Sequence, residues 1–356
     1  MSYNAHLLHS EHDLQRLIIR LDNVGQSDLL LQELIALGGE ATIPASGRII
    51  LAGTRAQLHQ LIANRPGDAL AAELADLLAR NARRRTPRTL AAGKHQLEFG
   101  KRTLIMGILN ITPDSFSDGG RWADLDKAVE HAKRMIADGA DILDIGGEST
   151  RPGHVPVSAE EEIRRVTPVI ERLSREVDIP ISIDTYKSVV AEAALRAGAH
   201  IVNDVWGGLA DPEMASVCAK FDCPFIMMDN RDTPFADDVM AGVIRTLRRQ
   251  IANALAAGVR DENLILDPGI GFGKTQEHNL LVMRRLDEIT ALGYPVLLGT
   301  SRKSMIGNAL GLPVDQRVEG TAATVALGIA KGADIVRVHD VKEMVRVSRM
   351  TDAMVR

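Results

Sequence analysis

Polar and charged residues recur at the ends of short apolar runs in the last two-thirds of the sequence. A carboxylate accepts parallel hydrogen bonds from the N–H groups of a flat heterocycle, and the planar arginine side chain binds two oxygens of a phosphate or carboxylate. These residues can act on one ligand only if the fold brings them together. The run-ending residues are Asn110, Glu148 with Thr150, Asp184, Asn203 with Asp204, Asp229, Asp267, Ser301, and Arg337 with His339 and Asp340.

The apolar runs themselves predict strands that are buried on both faces, as in a parallel sheet, because they are continuous in Val, Ile and Leu. The helical stretches between them end on glycine, which readily adopts the left-handed conformation that follows a helix. These glycines are Gly139, Gly198, Gly258, Gly293 and Gly332. Eight strand–helix units in about 250 residues predict the α/β class and a TIM (β/α)8 barrel, whose strand carboxyl ends face one mouth.

The chain of 356 residues is too long for the barrel alone. We therefore predict a small N-terminal α/β domain with a basic linker over residues 1–94, of unassigned function, and the barrel over residues 95–356. Residues 80–94 form the predicted linker, and residues 95–103 a hairpin that closes the barrel floor. The N-terminal pattern predicts helices at 27–37, 55–64 and 68–84 and strands at 40–44 and 48–53.

Composition excludes several classes of protein. With 45% hydrophobic and 25% charged residues, the chain can bury a large core, and no apolar run approaches the length of a membrane span. The net charge of −5 argues against binding to nucleic acid or to anionic membranes. Cys218 and Cys223 are the only cysteines, which predicts a reduced, cytoplasmic location and two ordinary core residues.

Two predicted loops carry candidate ligands for anions and cations. The loop at residues 110–120 is rich in oxygen donors, so it could close over a ligand and supply Asn110 and nearby carboxylates to Mg²⁺. A turn that caps the next helix explains the same residues equally well. The loop at residues 146–153 contains Arg151, which suits a phosphate or, alternatively, a surface ion pair.

The last two strands offer a cluster of cationic side chains. Arg337 and His339 alternate on the eighth strand and so point to the same side, which near the top of a barrel is the site. Burying both without an anion would be costly, which favours a functional role over a structural one. Lys303 lies in a Ser-Arg-Lys-Ser loop after the seventh strand, where barrel enzymes often bind phosphate.

Asp184, Asn203 and Asp267 end the third, fourth and sixth strands. Two carboxylates and an amide that face inward suit a flat heterocycle, although such residues also commonly cap the next helix. The segment 271–275 resembles the end of a nucleotide-binding P-loop, but Pro268 stands where that motif requires its first glycine. We interpret the segment as a glycine-rich wall with one aromatic face.

Seven segments together resemble the dihydropteroate synthases, a family of pterin-binding TIM-barrel enzymes. They cover most of residues 104–343 in the family's order: MGILNITPDSFSDGG, DILDIGGESTRPG, ISIDTYKS, IVNDV, LILDPGIGFGKT, GTSRKSMIG and RVHDVKE. The resemblance implies a transferase of folate biosynthesis that condenses 6-hydroxymethyl-7,8-dihydropterin pyrophosphate with 4-aminobenzoate to give 7,8-dihydropteroate and pyrophosphate. It also implies Mg²⁺, a homodimer, and a site of the kind that sulfonamides target.

The resemblance assigns a role to individual residues, and it implies no dedicated general base. Catalysis would rest on Asp184, Arg151, Lys303 and Asn110, and Asn110 would be the metal ligand. The pterin would contact Asp184, Asn203, Met228, Asp267 and Lys303; the pyrophosphate would contact Asn110, Arg151, Arg337 and His339; the aminobenzoate would contact Thr150, Pro152, Phe116, Phe272 and Ser301.

One position departs from the family pattern, and two other functions compete. Asp229 follows Met228 where members of the family often carry histidine, which puts the local loop geometry in doubt rather than the reaction. A methyltetrahydrofolate-dependent corrinoid methyltransferase shares the barrel and the Asp/Asn contacts but needs no pyrophosphate clamp. A non-catalytic pterin-binding paralogue is the second alternative.

Overall fold

The computed structural model describes residues 4–11, 16–22, 28–45, 48–85, 88–111, 120–148, 156–236 and 238–356. The chain divides into two compact units. The N-terminal unit comprises Met1–Thr86 with Asp287–Tyr294, and the barrel unit comprises Pro87–Leu286 with Pro295–Arg356. The division therefore falls before the boundary that we predicted after Lys94.

The N-terminal unit contains a four-stranded antiparallel sheet in the order β1-β2-β4-β3 and three helices. Its elements are β1 Asn4–Glu11, β2 Arg16–Asp22, α1 Asp28–Ala36, β3 Glu40–Ala45, β4 Arg48–Thr54, α2 Arg55–Ala63 and α3 Ala69–Arg85. Alternate residues of β2, Leu17, Ile19 and Leu21, are buried in the core of this unit. The three helices, β3 and β4 confirm the prediction, whereas β1 and β2 were not predicted.

The predicted basic linker at residues 80–94 is wrong over most of its length. Helix α3 continues to Arg85, and a strand begins at Arg88. Alanine, leucine and arginine all favour helix, so the run of basic residues extends the helix instead of ending it.

A β-hairpin opens the barrel unit and closes the barrel floor. It pairs β5 Arg88–Ala92 with β6 His95–Phe99, and its turn at Gly93 has a positive φ of 59°. The prediction of a hairpin at residues 95–103 was therefore displaced along the chain, although its position under the barrel is confirmed. The inward hairpin residues form one core with the first residues of the barrel strands: Leu90, Ala92, Leu97, Phe99, Leu104, Met106, Ile142, Ile201, Ile226, Ile265, Leu297 and Ile335.

Eight parallel strands form the barrel sheet, in the order β12-β11-β10-β9-β8-β7-β14-β13. They are β7 Leu104–Asn110, β8 Ile142–Gly146, β9 Ile181–Asp184, β10 Ile201–Asp204, β11 Phe225–Met228, β12 Leu264–Asp267, β13 Leu297–Leu298 and β14 Ile335–Val338. A parallel bridge between Leu266 and Val296 links the two ends of the sheet. The eight predicted strands and the TIM-barrel architecture are thus confirmed.

Helices connect the strands, and the described residues include short 3-10 helices at Asp261–Asn263 and Val314–Gln316. The helices are α4 Gly120–Ala137, α5 Ala159–Glu176, α6 Ser188–Ala197, α7 Glu213–Phe221, α8 Val239–Ala256, α9 Gln276–Arg284, α10 Leu286–Thr290, α11 Ser304–Leu310, α12 Val318–Ala330 and α13 Val341–Val355. The five glycines predicted to follow helices all have positive φ values. Within the described ranges, no helix is long and apolar enough to cross a membrane.

Candidate active site

The strand register places the predicted polar residues in one row at the carboxyl ends of the barrel strands. Asn110 pairs with Gly146, Gly146 with Asp184, and Asp184 with Asn203 across β7, β8, β9 and β10. Asp267 occupies the last position of β12. Asp184, Asn203 and Asp267 are all buried. The predicted convergence on the barrel mouth is therefore present in the fold.

Arg337 joins two carboxylates on neighbouring strands. Its Nε donates to Oδ2 of Asp144 and its Nη2 to Oδ2 of Asp184, both at 2.5 Å. The Nδ2 of Asn203 also donates to Oδ2 of Asp144, at 3.1 Å. Asp144, in the middle of β8, has no solvent exposure and was not among the predicted site residues. Arg337 is thus an organising cation of the carboxylate cluster as well as a candidate anion ligand.

Each of the two carboxylates has one oxygen without a hydrogen-bond partner among the described residues. Oδ1 of Asp144 and Oδ1 of Asp184 are buried and have no hydrogen-bond partner within the described part of the chain. Burial raises the pKa of Asp184 to about 7, the charge of Arg337 opposes that rise, and Asp144 adds to it. Unsatisfied buried acceptors are costly, so these oxygens suit N–H donors brought by a ligand.

Lys303 and Asp267 form the opposite side of the same cluster. A Cβ added to Gly299 would lie 3.7 Å from Lys303 Nζ, 3.9 Å from Arg337 Cβ and 3.9 Å from Asp267 Oδ2, so these three groups surround one point. Burial lowers the pKa of Lys303 to about 8, and Asp267 opposes the effect. Asp267 Oδ1 accepts from the Gly269 amide at 2.7 Å. Lys303 is therefore a cation whose protonation depends on a neighbouring carboxylate.

The glycine-rich segment after β12 contacts Lys303 from one side. Lys303 Nζ donates to the Ile270 carbonyl oxygen and lies 4.6 Å from the centre of the Phe272 ring. A cation–π contact of this kind is stronger where burial removes water from it than at an exposed site. Phe272 thus lies beside Lys303, which is predicted to contact the pterin, as expected for the aromatic face of the glycine-rich wall.

Ser301 and His339 meet where the loops after β13 and β14 approach each other. The Ser301 hydroxyl oxygen accepts from the His339 amide at 3.1 Å and lies 3.0 Å from His339 Nδ1. Arg302 is a non-glycine residue with a positive φ of 57°, and its Nε donates to Asp340 at 2.9 Å. Such a backbone conformation persists only where surrounding contacts impose it. The Arg302–Asp340 pair therefore holds the two loops in register.

Asn110 is the candidate metal ligand. A Cβ on Gly146 would lie 3.6 Å from Asn110 Oδ1 and 3.7 Å from Asp184 Oδ2, so the amide oxygen faces the carboxylate cluster. Among the described residues, no group of three or more His, Cys, Asp or Glu side chains could hold a metal. The Asn110 amide oxygen is a hard donor of the kind that Mg²⁺ prefers, and Mg²⁺ commonly binds few protein ligands and completes its shell with substrate oxygens and water.

Asp229, the departure from the family pattern, is completely buried and paired. Its Oδ2 lies 2.7 Å from Lys274 Nζ and its Oδ1 lies 2.7 Å from Arg231 Nη2. Met228, one of the predicted pterin contacts, is buried at the end of β11, and its carbonyl oxygen accepts from Gln250 at 2.9 Å. Asp229 is thus part of the wall of the mouth rather than an open ligand.

Four predicted site residues, Phe116, Thr150, Arg151 and Pro152, lie outside the described residues. Their assigned roles stay predictions. Asp144 is the residue that sequence reasoning missed. The sequence did contain a signal for Asp144, because it is an aspartate inside a continuous apolar run. Burying such a residue is costly unless a buried partner pairs with it.

The chain is similar to known proteins in both sequence and structure. A family model described as pterin binding enzyme matches residues 106–339. The dihydropteroate synthase of Clostridium beijerinckii is 57% identical over 265 residues, covering 74% of this chain and 98% of its own length. That of Bacillus subtilis is 56% identical over 258 residues, covering 72% and 90%.

Two solved structures of dihydropteroate synthases superpose on the barrel. One, from Clostridium difficile in the presence of pteroic acid, has a TM-score of 0.72 at 56% identity and covers 73% of this chain and 99% of its own. The other, from Xanthomonas albilineans with 4-aminobenzoic acid, has a TM-score of 0.73 at 43% identity and covers 76% and 98%. These identities are far above the level at which only a fold is shared.

Proposed function

Because the chain belongs to the dihydropteroate synthase family of pterin-binding enzymes, we propose that it condenses 6-hydroxymethyl-7,8-dihydropterin pyrophosphate with 4-aminobenzoate to give 7,8-dihydropteroate and pyrophosphate. The observation that carries the proposal is the buried cluster in which Arg337 binds Asp144 and Asp184 while one oxygen of each carboxylate has no described partner. Those oxygens fit the ring N–H and amino groups of a pterin.

The pterin is held by acceptors and donors that face each other across the mouth. The carboxylates of Asp184 and Asp267 accept from N–H groups, and Lys303 donates to a ring oxygen or nitrogen. Burial makes each such hydrogen bond stronger than it would be in water, because the effective dielectric constant is low. The residues therefore fix the orientation of the ring within the mouth.

The reaction breaks the bond between the methylene carbon and the pyrophosphate oxygen and forms a bond from that carbon to the aminobenzoate nitrogen. Positive charge develops on the pterin methylene, and negative charge develops on the departing group. Ionised Asp184 stabilises the first, and Arg337 and His339 stabilise the second, with Arg151 as a further predicted ligand of the pyrophosphate. We assign the nitrogen's proton to solvent, since neutral 4-aminobenzoate needs orientation more than a strong base.

Mg²⁺ is proposed as the partner of the pyrophosphate, with Asn110 as its protein ligand. When bound, the cation neutralises charge on the pyrophosphate oxygens. The facing positions of Asn110 Oδ1 and the carboxylate cluster support this assignment. If it is right, pyrophosphate raises the melting temperature only when Mg²⁺ is present, and Asn110→Ala reduces that shift, because a ligand that binds the folded state stabilises it.

The aminobenzoate pocket is proposed from Phe272 and Ser301 together with Phe116, Thr150 and Pro152. The location of Phe272 beside Lys303 supports this role, since it places an aromatic face next to the pterin contacts. A sulfonamide resembles 4-aminobenzoate in shape, so we also propose that this pocket binds sulfonamides. Competition with 4-aminobenzoate in steady-state kinetics tests both statements.

We further propose a homodimer and a cytoplasmic location. Helices α12 and α13 pack on each other, and the exposed apolar residues that they carry support a homodimer surface. These residues are Leu327, Met350, Met354 and Val355. The two cysteines are free and buried, which is compatible with a reducing compartment. Analytical ultracentrifugation of wild-type protein and of Met350→Lys tests the dimer surface, because a buried charge would separate the subunits.

The deciding experiment measures pyrophosphate release with purified protein, Mg²⁺ and the dihydropterin pyrophosphate, with and without 4-aminobenzoate. Release that depends on 4-aminobenzoate and yields dihydropteroate is the expected result. Pterin binding without release would favour the non-catalytic paralogue. Methyl transfer from methyltetrahydrofolate would instead favour the corrinoid methyltransferase, which does not require the Arg337 and His339 pair.

A further inference from the structure

Lys274 connects the two loops that follow β11 and β12, and none of its side chain is exposed. Its Nζ donates to the carbonyl oxygens of Gly269 at 3.0 Å and Phe272 at 3.2 Å, in its own loop. In the other loop it donates to the Asp229 carbonyl oxygen at 3.2 Å and carboxylate at 2.7 Å. One buried ammonium group, with three N–H donors, therefore lies within hydrogen-bond distance of four oxygens from two loops.

Glycine allows the two loops to approach this closely. Gly269 and Gly273 have positive φ values of 67° and 51°. A Cβ on Gly269 would lie 1.9 Å from the carbonyl oxygen of Asp229, and a Cβ on Gly273 would lie 2.2 Å from that of Arg231. Both distances are shorter than any side chain tolerates, so the contact between the loops depends on these glycines as well as on Lys274.

The Asp229 carboxylate supplies the charge that a buried lysine requires. Burial lowers the pKa of Lys274, and Asp229 opposes that effect. The second oxygen of Asp229 binds Arg231, whose guanidinium also donates to Thr246 at 3.0 Å and lies 3.2 Å from the centre of the Phe235 ring. Removing one partner of such a pair leaves an uncompensated buried charge.

The segment that Lys274 holds is the one that contacts Lys303. Ile270 offers its carbonyl oxygen to Lys303 Nζ, and the Phe272 ring lies 4.6 Å from the same nitrogen. A Cβ on Gly271 would lie 3.0 Å from Lys303 Cδ, so the segment also packs along the lysine side chain. A shift of the segment would therefore displace Phe272 and Lys303 together.

We propose that Asp229 and Lys274 form a positioning pair, which fixes the segment 269–273 and thereby places Phe272 for 4-aminobenzoate and Lys303 for the pterin. The inference rests on the proposed function. Lys274 acts through the segment and does not touch substrate, because its side chain is fully enclosed and its ammonium group is already within hydrogen-bond distance of four oxygens.

The test compares Asp229→Asn, Lys274→Met and the double variant with the wild-type enzyme. Asp352→Asn is the matched control, because Asp352 is also a buried carboxylate but binds Thr103 at the opposite end of the barrel. Two quantities are measured for each protein. They are the steady-state constants for both substrates, and the rate of amide hydrogen exchange across residues 268–276.

In Asp229→Asn we expect the KM for 4-aminobenzoate to rise about 5- to 20-fold while kcat changes less than about 3-fold. The reason is that the substitution weakens the positioning of 4-aminobenzoate more than it affects the reaction of the bound substrates. Exchange across the segment becomes faster. The double variant should be impaired no more than either single variant, because the two charges act as one unit and the double variant does not leave one of them uncompensated. Asp352→Asn should change neither quantity.

Two results would overturn the proposal. Unchanged exchange in Asp229→Asn and Lys274→Met would show that the pair does not hold the segment. Faster exchange with an unchanged KM for 4-aminobenzoate would show that the segment does not position that substrate. If the wild-type enzyme releases no pyrophosphate, the proposed function fails, while the exchange measurement still decides whether the pair fixes the loop.

Discussion

Asp144→Asn tests the electrostatic coupling at the centre of the site. Asp144 and Asp184 bind the same guanidinium at 2.5 Å, so their nearest oxygens are separated by little more than the width of that group. The substitution keeps the shape of the side chain and removes one negative charge. Asp184 is then the remaining one of the two carboxylates that bind Arg337, and it no longer lies beside the negative charge of Asp144. The pKa of Asp184 should therefore fall.

The size of the shift follows from Coulomb's law. Two unit charges about 5 Å apart repel by about 3 kcal/mol at an effective dielectric constant of about 20. One pKa unit corresponds to about 1.4 kcal/mol, so we expect the pKa of Asp184 to fall by about one to two units after local relaxation. Its starting pKa is about 7 in the wild-type protein.

The assay is the pH dependence of kcat/KM for pyrophosphate release, which reports the ionisation of the free enzyme. The proposed mechanism needs ionised Asp184, so the rate falls as the pH drops below the pKa of this group. In the wild-type enzyme this acid limb should lie near pH 7, and in Asp144→Asn about one to two pH units lower. Asp352→Asn is the control, with a limb at the wild-type position.

A limb that stays near pH 7 or moves to higher pH in Asp144→Asn would refute the reasoning. Either result would mean that Asp184 is not the titrating group or that its carboxylate does not respond to Asp144. Loss of folding is a separate matter, measured by urea denaturation. We expect a loss of about 2–3 kcal/mol, since Arg337 keeps one of its two carboxylate partners and the loss should be smaller than for a fully broken buried pair.

Three further substitutions separate the site from the scaffold. Lys303→Met should raise the KM for the dihydropterin pyrophosphate at least about 10-fold, measured by initial rates, because a charge-assisted hydrogen bond contributes about 1.5–3 kcal/mol. Leu97→Ala in the floor hairpin should lower the free energy of unfolding by about 2–5 kcal/mol in urea, with kcat/KM unchanged. Asp204→Ala leaves the amides of Trp206 and Gly208 without the carboxylate that accepts from each at 2.7 Å, so unfolding should become easier by about 2–4 kcal/mol; an unchanged midpoint would argue against these two bonds.

The barrel was predictable because the sequences of its strands follow one repeated pattern. Each strand is a short apolar run that ends on a polar residue, and the helices end on glycines that the structure finds with positive φ. The pattern identifies which residues reach the mouth, since the carboxyl ends of all parallel strands meet there. The row of Asn110, Asp184 and Asn203 follows from that rule and the register alone.

The partner of each side chain was not predictable from the same pattern. Arg337 reaches Asp144 and Asp184 only because β14 and β8 both flank β7 when the sheet forms. Its apolar neighbours made Asp144 easy to overlook within the run that contains it. Pairing of this kind depends on contacts between residues far apart in the sequence, which no local propensity encodes.

Charge composition misled the prediction where the two units meet in sequence. The arginines at residues 80–85 suggested a solvated linker, yet they lie on α3, because arginine is a good helix former. The following Gly93 then forms the turn of the hairpin, with a positive φ that glycine adopts at little cost. A run of basic residues therefore does not by itself indicate a loss of secondary structure.

The two ends of the barrel contribute different properties to the same unit. The floor is apolar, closed by the hairpin residues Leu97 and Phe99, and its packing stabilises the fold. The mouth instead buries carboxylates beside Arg337, Lys274 and Lys303, which are partly exposed as whole residues, and some of the carboxylate oxygens have no partner in the described residues. Such a mouth is costly on its own, and it persists because opposite charges pair with each other on rigid strands above a packed floor. A ligand that brings N–H donors and phosphate oxygens removes that cost, so its binding should stabilise the folded protein. The largest contribution should come from the groups that have the fewest hydrogen-bond partners in the unliganded site.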